Sequence, residues 1–246
     1  MTRLRLFQIR LAATAASLLL VFGVIRLLWY PGAYFSISGS GKLFLILIGV
    51  TVVVGPCLSA FVYKPRKKGL LLDLSLLAAV EVVVVLMAMS MIHARRPYYT
   101  VFAVDRFESV SKVEIDIATI GNAALSTRPG HEPRLVYAEL PQDPEILSNL
   151  IDETVLQGKQ DIDRRPEFWR PYTAGIEVVK AAAKPLEGLL VADDRRAAAV
   201  QHWLGRQEAD VSEFLYLPLR GKTGDATIIV HADVGFPVDI ISVDPW

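Results

Sequence analysis

Apolar residues follow two regimes along this chain. Through residue 92 they form long, nearly uninterrupted runs; past residue 95 they fall into short segments broken by Pro, Gly and charged residues. Crossing ~30 Å of hydrocarbon takes about 20 mostly apolar residues at 1.5 Å each. Residues 11–30, 43–63 and 70–92 meet that requirement. The pattern predicts a membrane domain over 1–92 with three transmembrane helices, and a second domain over 93–246. The first run follows Arg3, Arg5 and Arg10, as in a secretory signal, but it ends Leu28-Trp29-Tyr30-Pro31 with no small-x-small cleavage site. With two further runs behind it, it reads as a retained span.

The second regime predicts an α+β domain. YYTVFAV (98–104) is β-branched and aromatic and reads as a strand, as does RLVYAEL (134–140), which Pro141 ends. Residues 109–124 are ambiguous and favour a helix. Pro144 opens a predicted helix to Gln157, with Ile146, Leu147, Leu150, Ile151, Thr154 and Val155 at helical spacing. RRPEFWRPY (164–172) reads as a Pro-punctuated loop, and helices are predicted near 173–183 and 193–207. EFLYLPL, ATIIVHA and VDIISV, with turns at 221–224 and 235–237, predict a closing meander of three antiparallel strands. Helices packed on a small, mostly antiparallel sheet are the expected architecture.

Composition sharpens this division. The chain is 52% hydrophobic with a mean hydropathy of +0.38. Its formal charge of zero hides nine basic and two acidic residues in 1–92, against seventeen basic and twenty-four acidic in 93–246. An acidic second domain argues against nucleic-acid binding, which needs a basic face. The lone Cys57 lies inside an apolar run and excludes an intrachain disulfide. Arg3, Arg5 and Arg10, and then Lys64, Arg66, Lys67 and Lys68, flank one side of the spans, whereas the loop over 31–42 holds only Lys42. Positive-inside logic puts the N-terminus in the cytoplasm and sends 93–246 outside, which in a Gram-negative cell is the periplasm; Arg95 and Arg96 count against this but are outnumbered. Trp29, Tyr30, Tyr34 and Tyr63 suit interfacial aromatic belts.

Three ionisable groups interrupt the spans. Arg26 is close enough to the aromatic edge to snorkel outward, and Asp73 is one turn from the basic loop, within reach of Lys67 or Lys68. Glu81 is about 16 Å into the third span, counting from Leu70. A carboxylate there is costly, so Glu81 is protonated, paired within the chain (Arg26 being one partner), or facing another protein. Gly55-Pro56 in the second span predicts a kink and exposed backbone for close packing. Little supports catalysis: His93, His131, His202 and His231 are scattered, and no phosphate loop or nucleophile signature is present. The predictions are no enzyme, no metal and no cofactor. Asp193-Asp194-Arg195-Arg196 reads as a charged helix start, and Asp105-Arg106-Phe107 as an ion-paired turn or a partner contact.

Several distinctive strings follow one another in order along the chain: Trp29-Tyr30-Pro31, Gly55-Pro56, Val62-Tyr63-Lys64-Pro65, Lys67-Lys68, Leu72-Asp73-Leu74 and Arg96-Pro97. They continue through Val101-Phe102, Val104-Asp105-Arg106-Phe107, Arg165-Pro166, Phe168-Trp169, Pro171-Tyr172 and Asp244-Pro245-Trp246. In these the chain resembles the TfpX/TfpZ-type (FimB-like) type IV pilin accessory proteins. That family carries an uncharged polar residue, commonly Gln, near the position of Glu81. The resemblance implies a non-catalytic inner-membrane protein, without a cofactor, that assists or modulates assembly of a cognate major pilin. Its expected partners are that pilin, other inner-membrane pilus assembly components and membrane lipid. Glu81 or Gly55-Pro56 would meet the pilin's membrane helix; Asp105-Arg106-Phe107, Phe168, Trp169 and Tyr172 would meet its head, unless those rings serve as core. The competing reading is a membrane-anchored sensor or ligand-binding module, which would need an output domain or a pocket.

Overall fold

The computed structural model describes residues 2–64, 67–127, 130–207 and 209–246; Pro65 and Arg66, used in the readings above, lie outside the described residues. Two compact units emerge. One joins Met1–Trp29 to Ser40–Ala94, and the other joins Tyr30–Gly39 to Arg95–Trp246.

Among the described residues, the first unit has three helices long and apolar enough to cross a membrane: α1 (Arg3–Trp29), α3 (Ser40–Val62) and α4 (Leu70–Ala94). Helix α1 starts eight residues before the apolar run. Thr2 caps it, its hydroxyl accepting from the Arg5 N–H at 3.2 Å, so the basic leader is helical too. Pro56 has no N–H to donate and its ring would clash with the preceding turn. Helix α3 absorbs this with one wider π-helical turn, Val53–Cys57, at the expected Gly55-Pro56 irregularity. Asp73 pairs with Lys67, as expected. Large side chains such as Leu19, Leu45 and Leu71 face outward, which suits a hydrocarbon solvent.

Among the described residues, the second unit is built on a mixed sheet of eight strands, seven of them in the order β4-β3-β1-β2-β6-β7-β8. These are β1 (Pro97–Ala103), β2 (Arg106–Ser111), β3 (Arg134–Ala138), β4 (Trp169–Pro171), β6 (Phe214–Arg220), β7 (Asp225–His231) and β8 (Pro237–Ile241), with the short β5 (Lys184–Pro185) paired beside β6. The predicted terminal meander is β6-β7-β8. The β1–β3 and β2–β6 pairings are parallel and the others antiparallel. The helical reading of 109–124 is corrected. Strand β2 returns directly from β1 through Val104-Asp105, and the rest of that stretch is separate 3₁₀ turns. Residues 164–172 are not wholly loop either, since 169–171 form the edge strand β4. An edge strand can hold Pro171 because one row of its backbone groups has no ladder partner.

Both faces of the sheet are covered. On one, Phe102, Phe107, Leu219 and Ile228 pack with Tyr172 and with Tyr34 and Ile37 of α2 (Tyr34–Ile37). The Tyr34 hydroxyl shares a 2.6 Å hydrogen bond with Thr100, and the Thr223 N–H donates to the Ile37 carbonyl at 2.9 Å. Gly221 allows that approach, because a Cβ there would meet the Ile37 carbonyl oxygen at 2.5 Å. On the opposite face, Tyr99, Val101 and Val136 lie under α5 (Pro144–Val155), through Leu150. Phe214, Tyr216 and Ile229 lie under α7 (Glu187–Leu190) and α8 (Asp194–Gln207), through Leu189, Val200 and Trp203. Helix α6 (Ile176–Ala182) adds Val179 to the first face.

Candidate interaction surfaces

Glu81 sits in a polar cluster made by all three membrane helices. Its Oε1 accepts from the Thr14 hydroxyl at 2.7 Å, and its Oε2 accepts from Arg10 Nη2 at 3.1 Å. Arg10 Nε donates to the Ser59 hydroxyl at 3.2 Å. Arg10 and Thr14 are four residues apart and therefore share one face of α1. Gly55 completes the fit, since a Cβ there would stand 2.7 Å from a Glu81 carboxylate oxygen. Two of the expected membrane contacts, Glu81 and Gly55, thus meet each other inside the unit, and Gly55 and Pro56 are buried. The cation at Glu81 is Arg10 rather than Arg26. Arg10 escaped the sequence reading because it precedes the apolar run. The signal was available in Thr2, a capping residue that lengthens the helix.

The Asp105-Arg106-Phe107 string does not form one exposed turn. Val104 and Asp105 make the hairpin tip, while Arg106 and Phe107 open β2. Phe107 is fully buried and stacks near Tyr172 in the core. Arg106 Nε donates to Glu108 Oε1 at 3.0 Å and its Nη1 to Asp105 Oδ1 at 3.0 Å. Glu108 is itself buried, with Arg164 and Arg220 nitrogens each 4.0 Å from its oxygens. Burial pushes the Glu108 carboxyl above its ordinary range, although the Arg106 hydrogen bond pulls it back. Asp163, paired with Arg164, is likewise pushed up by burial. This buried acid and arginine cluster carried no motif in the sequence, because β2 and the turn at 162–164 come together only in the fold.

The rings of the 164–172 segment divide. Trp169 is 2% exposed and packs 4.7 Å from the Tyr99 ring; Tyr172 is 4% exposed and donates its hydroxyl to the Gly235 carbonyl at 2.6 Å. Neither offers surface to a partner, so both serve as core. Phe168 is half-buried and lines a shallow depression with Leu140 and Ile146. Helix α5 buries Leu150 yet exposes Ile146 on one flank and Ile151 and Val155 on the other, because its apolar residues cover a wider arc than one core-facing stripe.

These features accompany a clear likeness to known proteins. No family model and no solved structure matches the chain. The fimbrial assembly protein of serogroup I from Dichelobacter nodosus is 31% identical over 216 residues, covering 85% of this chain and 82% of the relative. The serogroup E1 protein of that organism is 29% identical over 202 residues, covering 80% and 78%. The serogroup C1 and C2 protein is 35% identical over 107 residues, 43% of this chain and 80% of the relative. The order of short strings that suggested pilin accessory proteins is thus matched by likeness across most of the chain, and the chain belongs to the fimbrial assembly proteins.

Proposed function

We propose that this chain is an accessory protein of type IV pilus assembly, held in the inner membrane, that promotes incorporation of a cognate major pilin by non-catalytic contacts. The observation that carries the reading is the family likeness spanning both units, because it ties the whole architecture to fimbrial assembly. The division into units supports it physically. A pilin awaiting assembly has an apolar membrane helix and a head outside, so a protein that handles it needs an intramembrane surface and an exported one. Residues 30–39 connect the first two spans and fold together with 95–246. This supports placing both on one side of the membrane, and the basic residues near α1 and after α3 favour the periplasm for that side. The depression formed by Phe168, Leu140 and Ile146 is the proposed surface for the pilin head.

The test is a deletion strain complemented with the full chain, scored for surface pili and total pilin. Lost pili restored by complementation support the reading. Unchanged piliation in the deletion strain would overturn it and favour a sensor module.

A further inference from the structure

The polar cluster of the membrane unit is satisfied on one side only. A guanidinium has five N–H donors. Arg10 spends one on Ser59 and one on Glu81, and its remaining donors meet no acceptor among the described residues. Glu81, by contrast, has a donor on each oxygen. The cluster borders a groove of about 260 Å³ between α1 and α4, open to the side. Beyond Arg10 its α1 wall is Ala13, Thr14 and Ser17; its α4 wall is Ala78, Glu81, Val82, Val85 and Leu86. Small side chains on the α1 wall let another backbone approach closely, which is how helices associate where no hydrophobic force separates protein from lipid.

The direction in which Arg10 points decides what can fill the groove. A span-end arginine ordinarily snorkels outward to headgroups. Here Glu81, eleven residues or about 16 Å into α4, holds the guanidinium inward. Lipid phosphates lie at the headgroup level, and acyl chains bring no acceptor. The donors therefore call for an oxygen carried at depth by another helix. Since Arg10 and Glu81 already balance in charge, a neutral carboxyl, amide or hydroxyl suffices.

We propose that the α1/α4 groove receives a transmembrane helix of a partner protein, and that an oxygen acceptor on that helix completes the hydrogen bonding of Arg10. Resting on the function proposed above, the partner is the pilin's membrane helix. Glu81 then acts by orienting Arg10 rather than by touching pilin itself.

The experiment uses a photocrosslinking residue at Val85 in full-length protein, in piliated cells, with and without the paired substitution Arg10→Leu and Glu81→Leu. The pair removes both charges together, so the helices retain an apolar interior. A pilin adduct from Val85 that falls at least tenfold in the paired variant, with normal membrane level of that variant, is the expected result. A pilin adduct of unchanged yield would overturn the role of Arg10. Lipid-only adducts at Val85 would overturn the groove as a helix site. Both of those outcomes leave the assembly function standing, because that is judged separately by the piliation of the deletion strain.

Discussion

Glu81 and Arg10 should behave as one energetic unit, and a double-mutant cycle measures this. Their side chains keep only 13% and 21% of their exposure, and each also serves a second helix, Glu81 holding Thr14 and Arg10 holding Ser59. Leu in place of either one leaves an opposite charge in an apolar setting. Breaking a buried pair costs about 3–5 kcal/mol, and a charge at a span's centre about 2.5–3.5 kcal/mol. The residual exposure argues for the lower end, about 2–3 kcal/mol for each single variant. The double variant leaves no charge behind and should lose no more than about 1 kcal/mol, since apolar replacement of a buried pair is often neutral. The coupling is therefore at least about 3 kcal/mol. Denaturant titration of the full chain in bicelles reads all four proteins. Single effects that add to within about 0.5 kcal/mol would refute the pairing.

Val104 holds φ 59° at the hairpin tip while more than half exposed, a left-handed conformation that a β-branched residue resists. Val104→Asn should raise stability by about 1 kcal/mol in thermal unfolding, and a lower melting temperature would contradict the strain. Tyr34→Phe removes the 2.6 Å bond to Thr100, whose hydroxyl is fully buried. A loss of about 1–2 kcal/mol should follow, together with faster amide exchange confined to 30–39; unchanged exchange would show that the bond does not anchor the segment. Asp163 has a carboxyl raised by burial, so the folded state holds its proton to higher pH than the unfolded chain does. Its stabilising contribution is present below pH 3.8 and is lost as pH rises through the raised folded value. Wild type should therefore lose stability relative to Asp163→Asn over that rise, and parallel pH profiles would contradict this.

Much of the architecture was legible because its signals are local. Three apolar runs of membrane length became α1, α3 and α4, and Gly and Pro between alternating segments marked β6, β7 and β8. What was missed breaks a local rule. Val104-Asp105 carries no turn signature, so β2 was hidden behind a residue that seldom adopts positive φ. Pro166 and Pro171 argued against any strand in 164–172, yet an edge position admits β4. The candidate contacts divide along the same line. Residue type marked Phe107, Trp169 and Tyr172 as anchors, but burial is decided by the strand faces that Phe107 and Trp169 occupy and by the turn after β4 that carries Tyr172, and these follow from pairing across the whole chain. Arg10 lies before the apolar run, and only the Thr2 cap, which starts the helix at Arg3, brings it into the membrane helix.

Direct contact with pilin is the central claim. Full-length protein purified from piliated cells in mild detergent, with co-purifying pilin quantified against an unrelated three-span membrane protein, tests it most directly. The account predicts pilin enriched at least about tenfold over that control, equivalent to about 1.4 kcal/mol of preferential association. Pilin at control level, while surface piliation still depends on the chain, would contradict it.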